Sequence, residues 1–155
     1  MNASTLGIDL GERRIGVALA GASTTLAMPL QVIHRSGSTR RDHQEIAKLV
    51  CEYEAGLVVV GLPISLDGSV GPAAVAATAE AAQLEAVLQE ANLEVSVVTH
   101  DERLTTVMAE RLLASAGLSG KARRKKVDMV AASVILQSWL DSVESDSVQS
   151  RAEQS

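Results

Sequence analysis

Leu57-Val58-Val59-Val60-Gly61-Leu62 is a short, unbroken apolar run bounded by Gly56 and Pro63. A run of that length and valine content reads as a strand covered on both faces. Strands of that kind belong to parallel sheets with helices packed on either side.

The segments around it supply the rest of such a sheet. Residues 4–10 and 15–20 read as two strands joined by the hairpin Gly11-Glu12-Arg13-Arg14, and Leu30 to His34 as a third. Ser36-Gly37-Ser38 breaks the chain, and a helix is expected from Arg40 to Glu54, with Ile46, Leu49, Val50 and Tyr53 on one face. Pro72 suits a first helical position, and Ala73 to Ala91 is rich in strong helix formers. Glu94 to His100 is a further strand. Thr105 or Thr106 caps a helix closed by Gly117, and a last helix runs from Val127 to Ser142. The expected fold is α/β, a five-stranded mixed sheet with helices on both faces. It forms one domain over residues 1–142, followed by a polar, Ser-rich tail over 143–155 that is expected to be disordered. In such sheets ligands gather at the carboxyl ends of the strands.

Composition narrows the chemistry. With one Trp, one Tyr and no Phe, the core must be aliphatic, and stacking of single-stranded bases on aromatic side chains is disfavoured. A single cysteine, Cys51, excludes an internal disulfide framework and a Cys-rich zinc site, and it reads as a small buried hydrophobe. His34, His43 and His100 show no metal-ligand spacing. His34 and His43 are expected at the surface, while His100 adjoins acidic residues and is placed to help hold one. No signal peptide and no apolar run of the roughly 20 residues needed to span a bilayer is visible, so a cytoplasmic protein is expected. The net charge of −5 disfavours nonspecific nucleic-acid binding, yet Lys121, Arg123, Arg124, Lys125 and Lys126 crowd into one stretch.

The acids are where function is legible. Asp9 sits inside an apolar strand, Asp101 and Glu102 end another, and Asp128 opens an apolar helix. Ionised carboxylates are rarely buried unless paired or bound to metal, so three such sites suggest acids converging on one divalent cation. Each has a plainer reading. Asp9 beside Gly11 can shape a turn, Asp101 and Glu102 can be a solvated strand end, and Asp128 can favour a helix N-terminus. The basic stretch can be a solvated connector. Two adjacent acids point to different sides, so only one of Asp101 and Glu102 is expected to face the site.

Four segments in order resemble the YqgF family. They are Gly7-Ile8-Asp9-Leu10-Gly11-Glu12-Arg13-Arg14-Ile15-Gly16-Val17-Ala18; Val60-Gly61-Leu62-Pro63 with Asp67-Gly68-Ser69 and Gly71-Pro72; Asp101-Glu102-Arg103-Leu104-Thr105-Thr106; and Lys126-Val127-Asp128 continuing to Ala131-Ala132 and Ile135-Leu136-Gln137-Ser138. That family is similar to Holliday-junction resolvases. The resemblance implies an RNase H-like fold and a nuclease that matures the 5′ end of pre-16S rRNA in ribosome biogenesis. It also implies catalytic and metal-binding roles for Asp9, Glu102 and Asp128, and it favours Glu102 over Asp101. One departure concerns the true resolvases, which carry an acid after the strand corresponding to Leu57–Leu62. Here Gly61-Leu62-Pro63 stands in that place, which counts against junction resolution.

The expected activity is therefore a Mg²⁺- or Mn²⁺-dependent endoribonuclease, with Arg13, Arg14, Lys121, Arg123, Arg124, Lys125 and Lys126 holding phosphates without reading bases. The rivals are a Holliday-junction resolvase acting on DNA and a non-catalytic nucleic-acid-binding partner of ribosomes or RNA polymerase. A nucleotide-phosphate domain of the actin or sugar-kinase type is weaker, because it needs a second Asp-x-Gly hairpin in a longer chain. Expected partners are pre-rRNA or structured DNA and the ribosomal subunit, with no membrane; the protein is expected to be a monomer or homodimer.

Overall fold

The computed structural model describes residues 3–63, 68–101 and 130–143. Strand β1 (Ser4–Leu10) turns tightly into β2 (Arg14–Ala20) and then β3 (Met28–His34); α1 (Thr39–Glu52), β4 (Ala55–Leu62), α2 (Pro72–Glu90) and β5 (Ser96–Asp101) follow. Residues 130–143 form a further helix, here α3. The sheet order is β3-β2-β1-β4-β5. The first three strands pair antiparallel, whereas β4 pairs parallel with both β1 and β5. The valine run is thus the parallel strand it was expected to be, and Val58, Val59 and Val60 are fully buried.

Alternation along the strands divides the interior in two. Leu6 and Ile8 of β1, Ile15 and Val17 of β2, and Val58 and Val60 of β4 pack with Ile46, Leu49 and Val50 of α1 and Leu84 and Leu88 of α2. On the other face Ala18, Ala20 and Val59 pack with Ala132, Ile135 and Leu136 of α3. The stripe Ala132, Ile135 and Trp139 does face the core, as its spacing predicts. The buried members of both clusters are aliphatic, with Tyr53 and Trp139 packed at their margins. Among the described residues no helix is long and apolar enough to cross a membrane.

Element ends depart from the expected ones for identifiable reasons. Helix α1 stops at Glu52 because Glu54 adopts a left-handed φ of 52°, and Asn92 closes α2 in the same way with φ 58°. Strand β3 begins at Met28, two residues early, and includes Pro29; a proline is tolerated there because β3 is an edge strand. Strand β5 begins at Ser96 and takes in Asp101.

Two side chains lie where the sequence reading did not put them. Cys51 is exposed, because it is five residues, about 140° round the helix, from Ile46. His43 is 1% exposed, enclosed between α1 and α2. Its Nε2 donates to Glu80 Oε2 at 2.9 Å, and the same carboxylate takes both terminal nitrogens of Arg35 at 3.0 Å each. Burial pushes the Glu80 carboxyl up, but the hydrogen bonds and charges of His43 and Arg35 outweigh it and leave it below its ordinary value of 4.5.

Two expectations follow. A Cβ on Gly7 would lie 2.7 Å from Leu136 Cβ and 3.0 Å from the Ala132 carbonyl oxygen, so Gly7→Ala should cost about 1–3 kcal/mol, read from the urea midpoint. Glu80 binds its proton less readily in the folded chain, so its contribution to stability is whole above pH 4.5 and declines as the pH falls further. The stability gap between wild type and Glu80→Gln should therefore narrow in acid; a constant gap would contradict this.

Candidate functional site

The hairpin between β1 and β2 builds the described part of the site. Gly11 N–H donates to the Arg14 carbonyl at 3.0 Å and lies 3.2 Å from the Asp9 carbonyl. A Cβ at residue 11 would sit 2.5 Å from the Arg14 oxygen, so the turn closes only on glycine. Arg35 grips the turn from outside: its N–H donates to the Arg13 carbonyl at 2.9 Å, and its Nε to the Gly11 carbonyl at 2.7 Å.

Asp9 lies two residues before this turn and is half-buried. It alternates with Leu6, Ile8 and Leu10 and shares its face of β1 with Gly7, over which Ala132 and Leu136 stand. Its cross-strand partner is Gly16, and one step beyond the Ile8–Val60 pair β4 reaches Gly61. The two neighbouring strands therefore bring no side chain beside the carboxylate on that face. Asp9 makes an interaction of its own within the chain.

The direction of α3 follows from its contacts. Ala132 and Leu136 meet Gly7, while Gln137 accepts from Ala27 N–H at 2.9 Å and donates to the Thr25 carbonyl at 2.9 Å. Thr25 and Ala27 follow the end of β2, which pairs with the start of β1. Helix α3 thus runs against β1, and its earlier residues lie toward Asp9.

Strand β5 carries the other described acid. Val97 packs in the α1–α2 layer and Val98 in the α3 layer. By the same alternation His100 faces α3 and Asp101 faces away from it. His100 Nε2 is indeed 3.0 Å from Ser138 Oγ of α3. Burial holds His100 below the ordinary histidine range, although the charge of Asp101 pulls the other way. Its ring is engaged with a helix hydroxyl. By this alternation Asp101 lies on the face of β5 opposite to His100.

The remaining expected residues, Glu102, Asp128, Lys121, Arg123, Arg124, Lys125 and Lys126, lie outside the described residues. Among the described residues no three His, Cys, Asp or Glu side chains come together as a metal cluster. Of the two hairpin arginines, Arg13 is exposed and Arg14 half-buried.

Sequence reasoning missed the cluster of Arg35, Glu80 and His43. A signal was present for His43, which stands three residues before Ile46 and seven before Val50 and so lies on the apolar face of α1. Glu80 sits four before Leu84 and seven before Val87, but alanines surround α2 and blur its buried face.

Similarity to other proteins bears directly on this arrangement. Residues 3–142 match the RuvX family, described as Holliday junction resolvase. A "Putative pre-16S rRNA nuclease" of Mycobacterium sp. (strain KMS) is 44% identical over 136 residues, covering 88% of this chain and 78% of that one. A protein of the same name from Halalkalibacterium halodurans is 41% identical over 138 residues, covering 88% and 95%. Among solved structures, T. thermophilus RuvC in complex with a Holliday junction substrate aligns with a TM-score of 0.52 and 16% identity, over 86% of this chain and 91% of that one. The yeast mitochondrial Holliday junction resolvase Ydc2 aligns with a TM-score of 0.52 and 12% identity, over 90% and 78%. These two share the fold, which is RNase H-like. The four motifs in order, the fold and the match over residues 3–142 agree: the chain belongs to the RuvX (YqgF) family.

Proposed function

We propose that this protein is a Mg²⁺- or Mn²⁺-dependent endoribonuclease that processes the 5′ end of pre-16S rRNA, with Asp9, Glu102 and Asp128 as its cation ligands. The observation that carries the reading is the position of Asp9. It is an acid one residue before the end of a central strand, flanked by Gly16, on the face that α3 covers. Glu102 follows directly on Asp101, the last residue of β5. Asp128 lies two residues before the described part of α3, whose earlier residues lie toward Asp9. Both connections favour convergence. Family membership and the names of the relatives favour the substrate.

The donor set suits a hard cation, being carboxylate oxygen without thiolate or imidazole. A divalent ion bound there supplies an activated water and stabilises the leaving oxygen. The chain's own part is positional. The acids hold the ion, Arg13 holds a phosphate beside it, and Lys121, Arg123, Arg124, Lys125 and Lys126 hold the flanking backbone without selecting bases. Ribosomal subunits are the expected setting and the cytoplasm the expected compartment.

Cleavage of a 5′-labelled precursor rRNA, run beside a labelled four-way DNA junction, tests this. Wild type should cut the RNA only with Mg²⁺ or Mn²⁺. Asp9→Asn, Glu102→Gln and Asp128→Asn should each fall to background with the thermal midpoint unchanged or raised, because one crowded negative charge is gone. Cutting of the junction alone would move the activity to DNA. Unimpaired cleavage by Asp9→Asn would end the reading.

The basic stretch makes a separate prediction. Replacing Lys121, Arg123 and Arg124 with Ala should weaken binding by similar factors for unrelated RNA sequences. Each lost phosphate contact should flatten the salt dependence of log K by roughly 0.7–0.9. KM should rise more than kcat falls, because these groups bind substrate and transition state alike. An unchanged affinity and salt slope would take the stretch off the substrate path.

A further inference from the structure

The cluster of Arg35, Glu80 and His43 has an architecture that stability alone does not explain. The side chains of Arg35 and Glu80 are 17% and 18% exposed. A buried ion pair roughly breaks even against apolar residues of similar size. This one also carries a cost: as His43 Nε2 donates to Glu80, Nδ1 is left buried without a partner among the described residues.

What the cluster does achieve is reach. His43 belongs to α1, Glu80 to α2 and Arg35 to the residue after β3, and the line of hydrogen bonds ends on the Gly11 carbonyl at the tip of β1. Only a guanidinium can do this. Its two terminal nitrogens take the Glu80 carboxylate while Nε, in the same plane, points to Gly11. The helix layer is thereby tied to the one turn that carries Asp9 on its entering side and Arg13 within it. The Arg35 guanidinium is itself engaged by Glu80 and the Gly11 carbonyl.

We propose that Arg35, held by Glu80 and His43, is a positioning residue that fixes the Gly11–Arg14 turn so that Asp9 and Arg13 keep a constant separation. The proposal rests on the nuclease reading above, through Asp9. Small displacements of a catalytic group are costly, whereas binding of a long RNA through many phosphates is not sensitive to them. The signature of the clamp is therefore a loss in kcat at constant KM.

Arg35→Lys separates this role from simple stability, because Lys keeps a positive charge beside Glu80 but cannot also reach Gly11 with a second donor. Amide hydrogen exchange of residues 11–14 and steady-state cleavage of precursor rRNA are measured well below the thermal midpoint. Mn²⁺ titrations of wild type and Asp9→Asn run alongside. Exchange at the turn should accelerate and kcat fall roughly 10- to 100-fold with KM nearly unchanged. If Lys at 35 fails to fold, Glu80→Gln, which loosens the fork without removing it, should show both changes in smaller degree. Wild-type exchange and kcat would overturn the proposal, and so would a kcat that falls only in step with the unfolded fraction. Should wild type neither bind Mn²⁺ nor cleave while exchange still accelerates, the nuclease reading fails. The cluster is then a structural tie only, which also overturns the positioning role.

Discussion

Everything about the expected active face depends on how closely α3 lies against β1. Gly7 sets that distance. With no side chain at residue 7, the Ala132 carbonyl and Leu136 rest directly on the strand backbone, and the neighbouring Ala18 and Ala20 of β2 keep the surface low. Alternation then does the rest. Residue 9 must emerge on the face that α3 covers, beyond the helix residues that press on Gly7, at the carboxyl end of the strand where ligands collect in sheets of this kind.

The two faces of the sheet divide the work. Helices α1 and α2 cover one with a thick aliphatic layer in which Leu6, Ile8, Ile46, Leu84 and Leu88 are fully buried. That layer also encloses the His43, Glu80 and Arg35 cluster. Among the described residues the α3 face has the smaller buried cluster, with Ala18, Ala20, Val59 and Ala132 in it, and it presents Asp9 and His100 near the strand ends. The charged cluster of the α1–α2 face ends on the turn that follows Asp9, so in the proposed reading the helix layer steadies a site it does not contain.

Much of this was legible in the residues. The run from Leu57 to Leu62 announced a parallel strand because continuous valine leaves no exposed face. The hairpin at Gly11 and the start of α2 at Pro72 followed from turn and cap chemistry, which is local. The misplaced side chains are those for which residue type alone is a poor guide. From the sequence His43 is expected at the surface. It is buried because Glu80, 37 residues on, pairs with it. Residue type puts Cys51 in the core, but its angle on the helix points it to solvent. The choice between Asp101 and Glu102 could not be made from spacing. Strand parity, visible once Val97, Val98 and His100 are placed, puts Asp101 on the face of β5 opposite to His100. Glu102, Asp128 and the basic stretch rest on their motifs, since they lie outside the described residues.

The central claim is that one cation is held jointly by Asp9, Glu102 and Asp128. Anomalous diffraction from crystals soaked in Mn²⁺ tests it most directly. The account predicts manganese density within coordination distance of Asp9, about 2.0–2.3 Å from its oxygens, with Glu102 and Asp128 completing the oxygen shell. Manganese bound elsewhere, or Asp128 held more than roughly 10 Å from Asp9 with no hinge between them, would contradict it, because carboxylates that far apart cannot share one ion.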